Sequence, residues 1–215
     1  SPYIDNIDLT LSALTAGMNS LFKFIFNKRY FDRIQIPASI DALPVNSHDG
    51  FPVILFSPGL GAISFLNTFY ALEFASHGFI VVGIDHPGSS PRTVITNGSY
   101  VGLDEVTKEL LKDPTRKVEQ FGSQIITQQA SNISMVLDKI IDLNYINDSF
   151  LHQKINPSKI FAAGHSIGGS ASFVACGMDR RISKGINFDG YFFDNDNANY
   201  LHKELLLINA DRDRY

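Results

Sequence analysis

At 215 residues, 44% of them hydrophobic, the chain is long enough to bury a sizeable core as one globular domain, and its formal net charge is only −4. Its 18 Lys and Arg are scattered among 22 Asp and Glu, which argues against nucleic acid as a partner, and no apolar run approaches the ~18 residues of a membrane span. The one cysteine, Cys176, excludes an internal disulfide and reads as a small buried packing residue.

In chain order, residues 4–26 place Ile7, Leu11, Leu14, Met18, Leu21 and Ile25 at a helical period, which predicts a helix packed on the domain. A membrane-surface helix, and with it peripheral membrane contact, is the alternative, disfavoured by a polar face with few cations. From Pro52 short apolar runs alternate with helical patterns. Strands are predicted at 52–57, 79–85, 159–164, 184–189 and 204–211, and helices at 65–78, 123–143 and 169–178. Continuously apolar strands separated by helices predict an α/β fold in a single domain, a mostly parallel sheet with helices on both faces. Residues 86–105 form the one long irregular stretch, followed by the charged segment "VTKELLKDPTRKVEQFG". Over 86–125 a lid or pocket wall is expected, with a plain surface loop as the alternative. The chain opens on Ser1 rather than Met, as a processed or a trimmed chain does; the first of these allows a removed signal peptide and leans the compartment weakly toward export.

Gly164-His165-Ser166-Ile167-Gly168 fits the G-x-S-x-G turn in which a serine attacks an acyl carbon. Such a pattern arises by chance in roughly one chain in fifteen of this length, so its setting decides. Here it follows the apolar run "KIFAAG" and precedes the small-residue run "GGSASFVA", as a strand–turn–helix nucleophile requires. Ser166 is therefore the predicted nucleophile. Acyl transfer also needs amides aimed at the oxyanion, one of them from the residue after the nucleophile. Ile167 supplies that donor, and Leu60, in the glycine-rich stretch "FSPGLGAISF" after the first strand, is the candidate for the second.

The blocks "VILFSPGLGAISF", "FASHGFIVVGIDHPG", "GHSIGGSASF" and "GINFDGYF" together resemble the platelet-activating factor acetylhydrolase family of α/β-hydrolases. The resemblance covers 52–90 and 158–215 and leaves 1–45 and 100–125 unmatched. It implies an α/β-hydrolase fold and hydrolysis of small-molecule or lipid esters with short or oxidised acyl groups, with no metal, calcium or other cofactor. By that similarity Ser166 is the nucleophile, Leu60 and Ile167 form the oxyanion hole, and Asp189 of "NFDGY" is the triad acid. Pro58 stands where relatives often carry histidine. From the residues alone the acid stays open, because Asp189 ends one predicted strand while Asp211 and Asp213 end the next. A general carboxylesterase or polyester hydrolase using Asp213 is the alternative within enzymes. A non-catalytic α/β-hydrolase that binds a lipid or a partner protein is the alternative outside them.

That last alternative rests on the histidines. In this fold the base usually follows the serine and the acid in the chain, and only His202 follows Ser166. His202 precedes its strand, so it is expected ~20 Å from the catalytic edge. His165 is expected to pack and His86 to line the pocket, with service as base its minor alternative because that would break the usual order, and His48, His77 and His152 carry no claim. The chain is therefore expected to be incomplete, with the fold's last strand, its helix and the catalytic histidine following Tyr215. Oligomeric state is not legible.

Overall fold

The computed structural model describes residues 36–39, 41–191 and 202–210, with the backbone alone over 114–120. The helix expected over 4–26 lies outside these residues, as do Asp211 and Asp213. The described elements are β1 (Phe51–Ser57), a 3-10 turn (Ser64–Asn67), α1 (Thr68–Ser76), β2 (Ile80–Gly83), β3 (Thr93–Val94), β4 (Tyr100–Val101), α2 (Glu105–Lys112), α3 (Pro114–Tyr145), β5 (Ile155–His165), α4 (Ile167–Met178), β6 (Ile182–Phe188) and β7 (Glu204–Ile208).

Five strands form one parallel sheet in the order β2-β1-β5-β6-β7, the α/β architecture expected from the continuously apolar runs. The chain leaves β1 toward β2 on one side and returns to β5 on the other. That reversal is a topological switch point, where the loops after β1 and β5 part and open a crevice at the carboxyl ends of the strands. In register, Ser57 at the end of β1 lies opposite Gly164 of β5. The stretch carrying Leu60 and the turn carrying Ser166 therefore leave the sheet side by side.

Alternation along β1 sends Val53 and Leu55 to one face and Ile54 and Phe56 to the other. The first face is sealed by α3 and α4. From α3 come Ile126, Ala130, Ile133, Leu137 and Ile140, an unbroken stripe of buried side chains spaced three and four apart. From α4 come Ala171, Ala175 and Cys176, the last fully buried as a packing residue. The second face is covered by α1 through Tyr70 and Phe74. Beyond α1 this face holds a groove of about 450 Å³ over the first halves of β6 and β7, lined by Phe74, Phe79, Phe161, Ile186, Leu205 and Leu206 among others. It also takes in Ile54 at the middle of β1.

α4 is almost all small side chains because it presses on backbone. A Cβ placed on Gly168 would lie 2.3 Å from the Pro58 carbonyl oxygen and 2.4 Å from that of Ser57. Neither atom is the tip of a flexible side chain, so alanine forces helix and loop apart. Gly168→Ala is expected to cost about 1–3 kcal/mol or more and to lower the melting temperature by roughly 5 °C or more, read by calorimetry.

Several boundaries differ from the sequence reading. The stretch 86–105 is not wholly irregular, since β3 and β4 pair as a short antiparallel hairpin with Thr93 opposite Val101. α3 begins at Pro114 rather than 123, and α2 occupies much of the charged segment before it. Charged residues obscure the helical period there, yet they suit helices. Glu105 and Glu109 pair with Lys108 and Lys112, and the Asp104 carboxylate caps α2 by accepting from the Thr107 amide at 2.7 Å. Proline fits the first helical position, where its missing N–H is not needed. β5 starts at Ile155 rather than 159, because Ile155 pairs with Phe51 across an irregularity in the register. β7 ends at Ile208, short of 211.

Candidate active site

Ser166 sits between β5 and α4 at φ 55°, ψ −130°, a left-handed conformation that costs a non-glycine residue about 1–3 kcal/mol and persists only when its surroundings enforce it. Its amide donates to the Phe188 carbonyl at 2.8 Å, and its carbonyl accepts from the amides of Gly169 and Ser170 at 2.9 and 3.2 Å. The flanking glycines have a mechanical reason. A Cβ on Gly164 would lie 2.3 Å from the Gly168 carbonyl oxygen, so only glycine lets strand and helix cross this closely. Ile167 opens α4, where the helix offers its amide no carbonyl partner and the positive end of the helix dipole points outward.

Across the switch point the loop 57–64 runs directly over the serine. A Cβ on Gly59 would lie 3.4 Å from the Ser166 Cβ and 3.3 Å from His165 Nδ1. Leu60 follows, half-buried, and Gly61 at φ 69° turns the chain back. Three bonds tie this loop to the turn after β2. The Gly61 amide donates to the Ser89 carbonyl at 3.0 Å, the Ser64 amide to Asp85 Oδ1 at 2.6 Å, and Ser57 Oγ lies 2.6 Å from His86 Nε2. Burial raises the Asp85 carboxyl above its usual range, against the opposing pull of the Ser64 hydrogen bonds.

Asp189 follows β6, also left-handed, at φ 57°. Its amide donates to the Ile208 carbonyl at 2.7 Å, and its Oδ1 accepts from the Ala210 amide at 3.1 Å, so β7 braces it. Gly190 brings this turn onto the serine's backbone, for a Cβ there would lie 2.3 Å from the Ser166 carbonyl oxygen. Ser166, Ile167, Leu60 and Asp189 therefore gather at one edge of the sheet. The sequence reading passed over Asn187, which is fully buried and accepts from the Gly190 amide at 2.7 Å. An Asn three residues before a Gly at a strand end was its only sequence signal.

All six histidines are described. His48, His77, His152 and His202 each precede a strand and so lie at the amino edge of the parallel sheet, opposite Ser166. His202 stands there as expected, before β7. His86 does not line a pocket. It is fully buried, bonded to Ser57 and within 3.2 Å of Asn132 Nδ2. The apolar core beneath β2 takes in the ring because Ser57 and Asn132 satisfy its nitrogens. His165 adjoins the serine with its side chain exposed rather than packed. Strand-to-helix turns point neighbouring side chains apart, and here the outward one is the histidine.

Burial lowers the His86 pKa to about 4, and the groups around its ring, Ser57, Asn132 and the Ser90 hydroxyl near its amide, are all neutral. The unfolded chain takes up a proton near pH 6.5 that the folded protein refuses until about 4. This contribution to stability is thus whole above pH 6.5 and falls by about 3 kcal/mol on the way down to pH 4. Urea unfolding at pH 7 and pH 4.5 is expected to show that loss in the wild type and most of it abolished in His86→Gln.

A serine held on a strained turn between the central strand of a parallel sheet and a close-packed helix, beside the switch point, is the arrangement of the α/β-hydrolase fold. The sequence matches the family model described as platelet-activating factor acetylhydrolase, isoform II, over residues 6–214, and the chain belongs to that family. The match takes in 6–45 and 100–125, which the four motif blocks leave out. A platelet-activating factor acetylhydrolase of Canis lupus familiaris is 30% identical over 206 residues, covering 85% of this chain and 45% of that protein. A probable 1-alkyl-2-acetylglycerophosphocholine esterase of Arthroderma benhamiae is 32% identical over 141 residues, covering 66% of this chain and 32% of that protein. Among solved structures, a ferulic acid esterase from Streptomyces cinnamoneus superposes with a TM-score of 0.60 at 26% identity, over 79% of this chain and 45% of that one. The chain spans about half the length of the curated platelet-activating factor acetylhydrolases it matches, 45–50% of each. Among the described residues, no helix is long and apolar enough to cross a membrane.

Proposed function

We propose that the full-length protein is a serine ester hydrolase that cleaves short or oxidised acyl groups from lipid and small-molecule esters through an acyl-enzyme on Ser166. The observation that carries this reading is the left-handed Ser166 at the switch point, with the loop bearing Leu60 closed over it. The Ser166 hydroxyl gives its proton to a histidine acting as general base while its oxygen bonds to the acyl carbon. The amides of Leu60 and Ile167 take the negative charge that develops on the acyl oxygen. The alcohol leaves with the histidine's proton, water repeats the sequence in reverse order of groups, and the acid is released. Asp189 orients the histidine, a role supported by its place at the end of β6 beside the serine's backbone.

The hairpin β3–β4 and α2 form a wall over this edge in the proposal. Val94, Ile95, Tyr100 and Val101 are exposed on it, which suits contact with an acyl chain or a lipid surface. The likeness to a ferulic acid esterase supports a wider carboxylesterase as the second reading. Nitrophenyl esters of two to twelve carbons, assayed on the full-length protein with and without a chelator, separate the two. Preference for the acetyl ester with no chelator effect is the expected result. Equal or better turnover of long or aromatic acyl groups favours the second reading.

A further inference from the structure

We propose that His86 is a positioning residue for this reaction: through Ser57 it holds the Pro58–Leu60 loop at the distance from Ser166 that lets the Leu60 amide meet the oxyanion. The inference rests on the site reading above.

His86 is fully buried, and three neutral side chains stand in one chain with it. Asn132 Nδ2 lies 3.2 Å from Nδ1, and Nε2 lies 2.6 Å from Ser57 Oγ, which donates onward to Gln129 Oε1 at 3.5 Å. That direction assigns the ring proton to Nε2, so the ring donates to Ser57 and accepts from Asn132. With both nitrogens engaged by Ser57 and Asn132 and no carboxylate bonded to the ring among the described residues, His86 lacks the arrangement of a general base.

What it holds is the point where loop and nucleophile meet. Ser57 opens the loop, and the carbonyls of Ser57 and Pro58 press on Gly168 of α4, the helix whose first amide belongs to Ile167. A loop shift of about 1 Å therefore separates the two candidate oxyanion donors, and a displacement of that size costs on the order of 100-fold in rate. The rest of the β2 turn repeats the hold. Ser89 takes the Gly61 amide and Asp85 the Ser64 amide, while His86 itself anchors the turn by accepting from the amides of Ser89 and Ser90 at 3.1 and 2.7 Å. A surface loop would need no such triple fastening. A loop that must present one amide to within a few tenths of an ångström does.

The experiment compares Ser57→Ala, His86→Phe and His86→Gln in the full-length protein, beside Ser166→Ala and the remote core variant Leu137→Ala. Glutamine still offers an amide donor to Ser57, and phenylalanine does not. The expected result is a 10- to 100-fold fall in kcat for Ser57→Ala and His86→Phe with KM within about twofold, recovery to within about threefold in His86→Gln, and an unchanged pH–rate profile. Leu137→Ala, destabilised by a comparable amount, keeps the wild-type kcat. Should His86→Phe fail to fold, Ser57→Ala carries the same test. Wild-type kcat in Ser57→Ala beside an inactive Ser166→Ala would overturn the inference alone, as would an equal fall in Leu137→Ala. A pH–rate profile that loses its lower limb in His86→Gln would overturn it by making His86 the base. Turnover persisting in Ser166→Ala would overturn the site reading, and the inference with it.

Discussion

In the full-length protein, Ser166→Ala is expected to lower kcat toward acetyl esters by about a millionfold while leaving the fold and the substrate affinity near wild type. The size follows from how triads act, since without the nucleophile no acyl-enzyme forms and only the oxyanion amides and binding contacts remain to assist water. Alanine at the same strained φ of 55° deletes only the hydroxyl, so unfolding does not confound the result. A fluorophosphonate provides the independent readout. Mass spectrometry is expected to find the adduct on the peptide containing Ser166, because phosphonylation requires an activated serine. Labelling elsewhere, or retained turnover in the alanine variant, would remove Ser166 from the mechanism. An unlabelled, inactive full-length protein would instead identify a binding protein built on a hydrolase fold.

The second large effect separates two aspartates. Asp189→Asn is expected to lower kcat about 10⁴-fold, because an amide in place of the carboxylate leaves the histidine in the wrong tautomer and its charged form without support. The substitution is conservative in structure, since the asparagine oxygen still accepts from the Ala210 amide that Asp189 Oδ1 holds at 3.1 Å. Asp213→Asn is expected to stay within a fewfold of wild type. If the two results were exchanged, the acid would be Asp213 and the family resemblance of "NFDGY" would mislead at this residue.

Much of the site was legible because its requirements are local. Gly164 and Gly168 flank a serine at a spacing that only a strand–turn–helix crossing needs, and the contacts of 2.3 Å that a Cβ would make at either glycine explain the pattern. The glycines after β1 announced a loop able to turn an amide inward. Asn187 was less legible, because its hydrogen bond to the Gly190 amide acts through three-dimensional packing against Gly169 rather than through any period. The early start of α3 was hidden for another reason. Around Pro114 the charges that suit a helix surface also suit a loop, and only the pairing of α2 and the chain's path to the sheet select the helix.

By itself, then, the sequence determined what short-range physics controls: which runs are buried strands, which are helices, where the strained serine turn falls, and that His202 precedes its strand. The tertiary structure alone decided the neighbours. That β5 inserts between β1 and β6, bringing Ser57 opposite Gly164, depends on pairings between residues a hundred positions apart. No hydrophobic period encodes strand order, because every buried parallel strand presents the same apolar pattern. The fate of His86 follows from that order. Beside another strand it would face solvent or substrate, and beside Ser57 and Asn132 it is a neutral, buried strut.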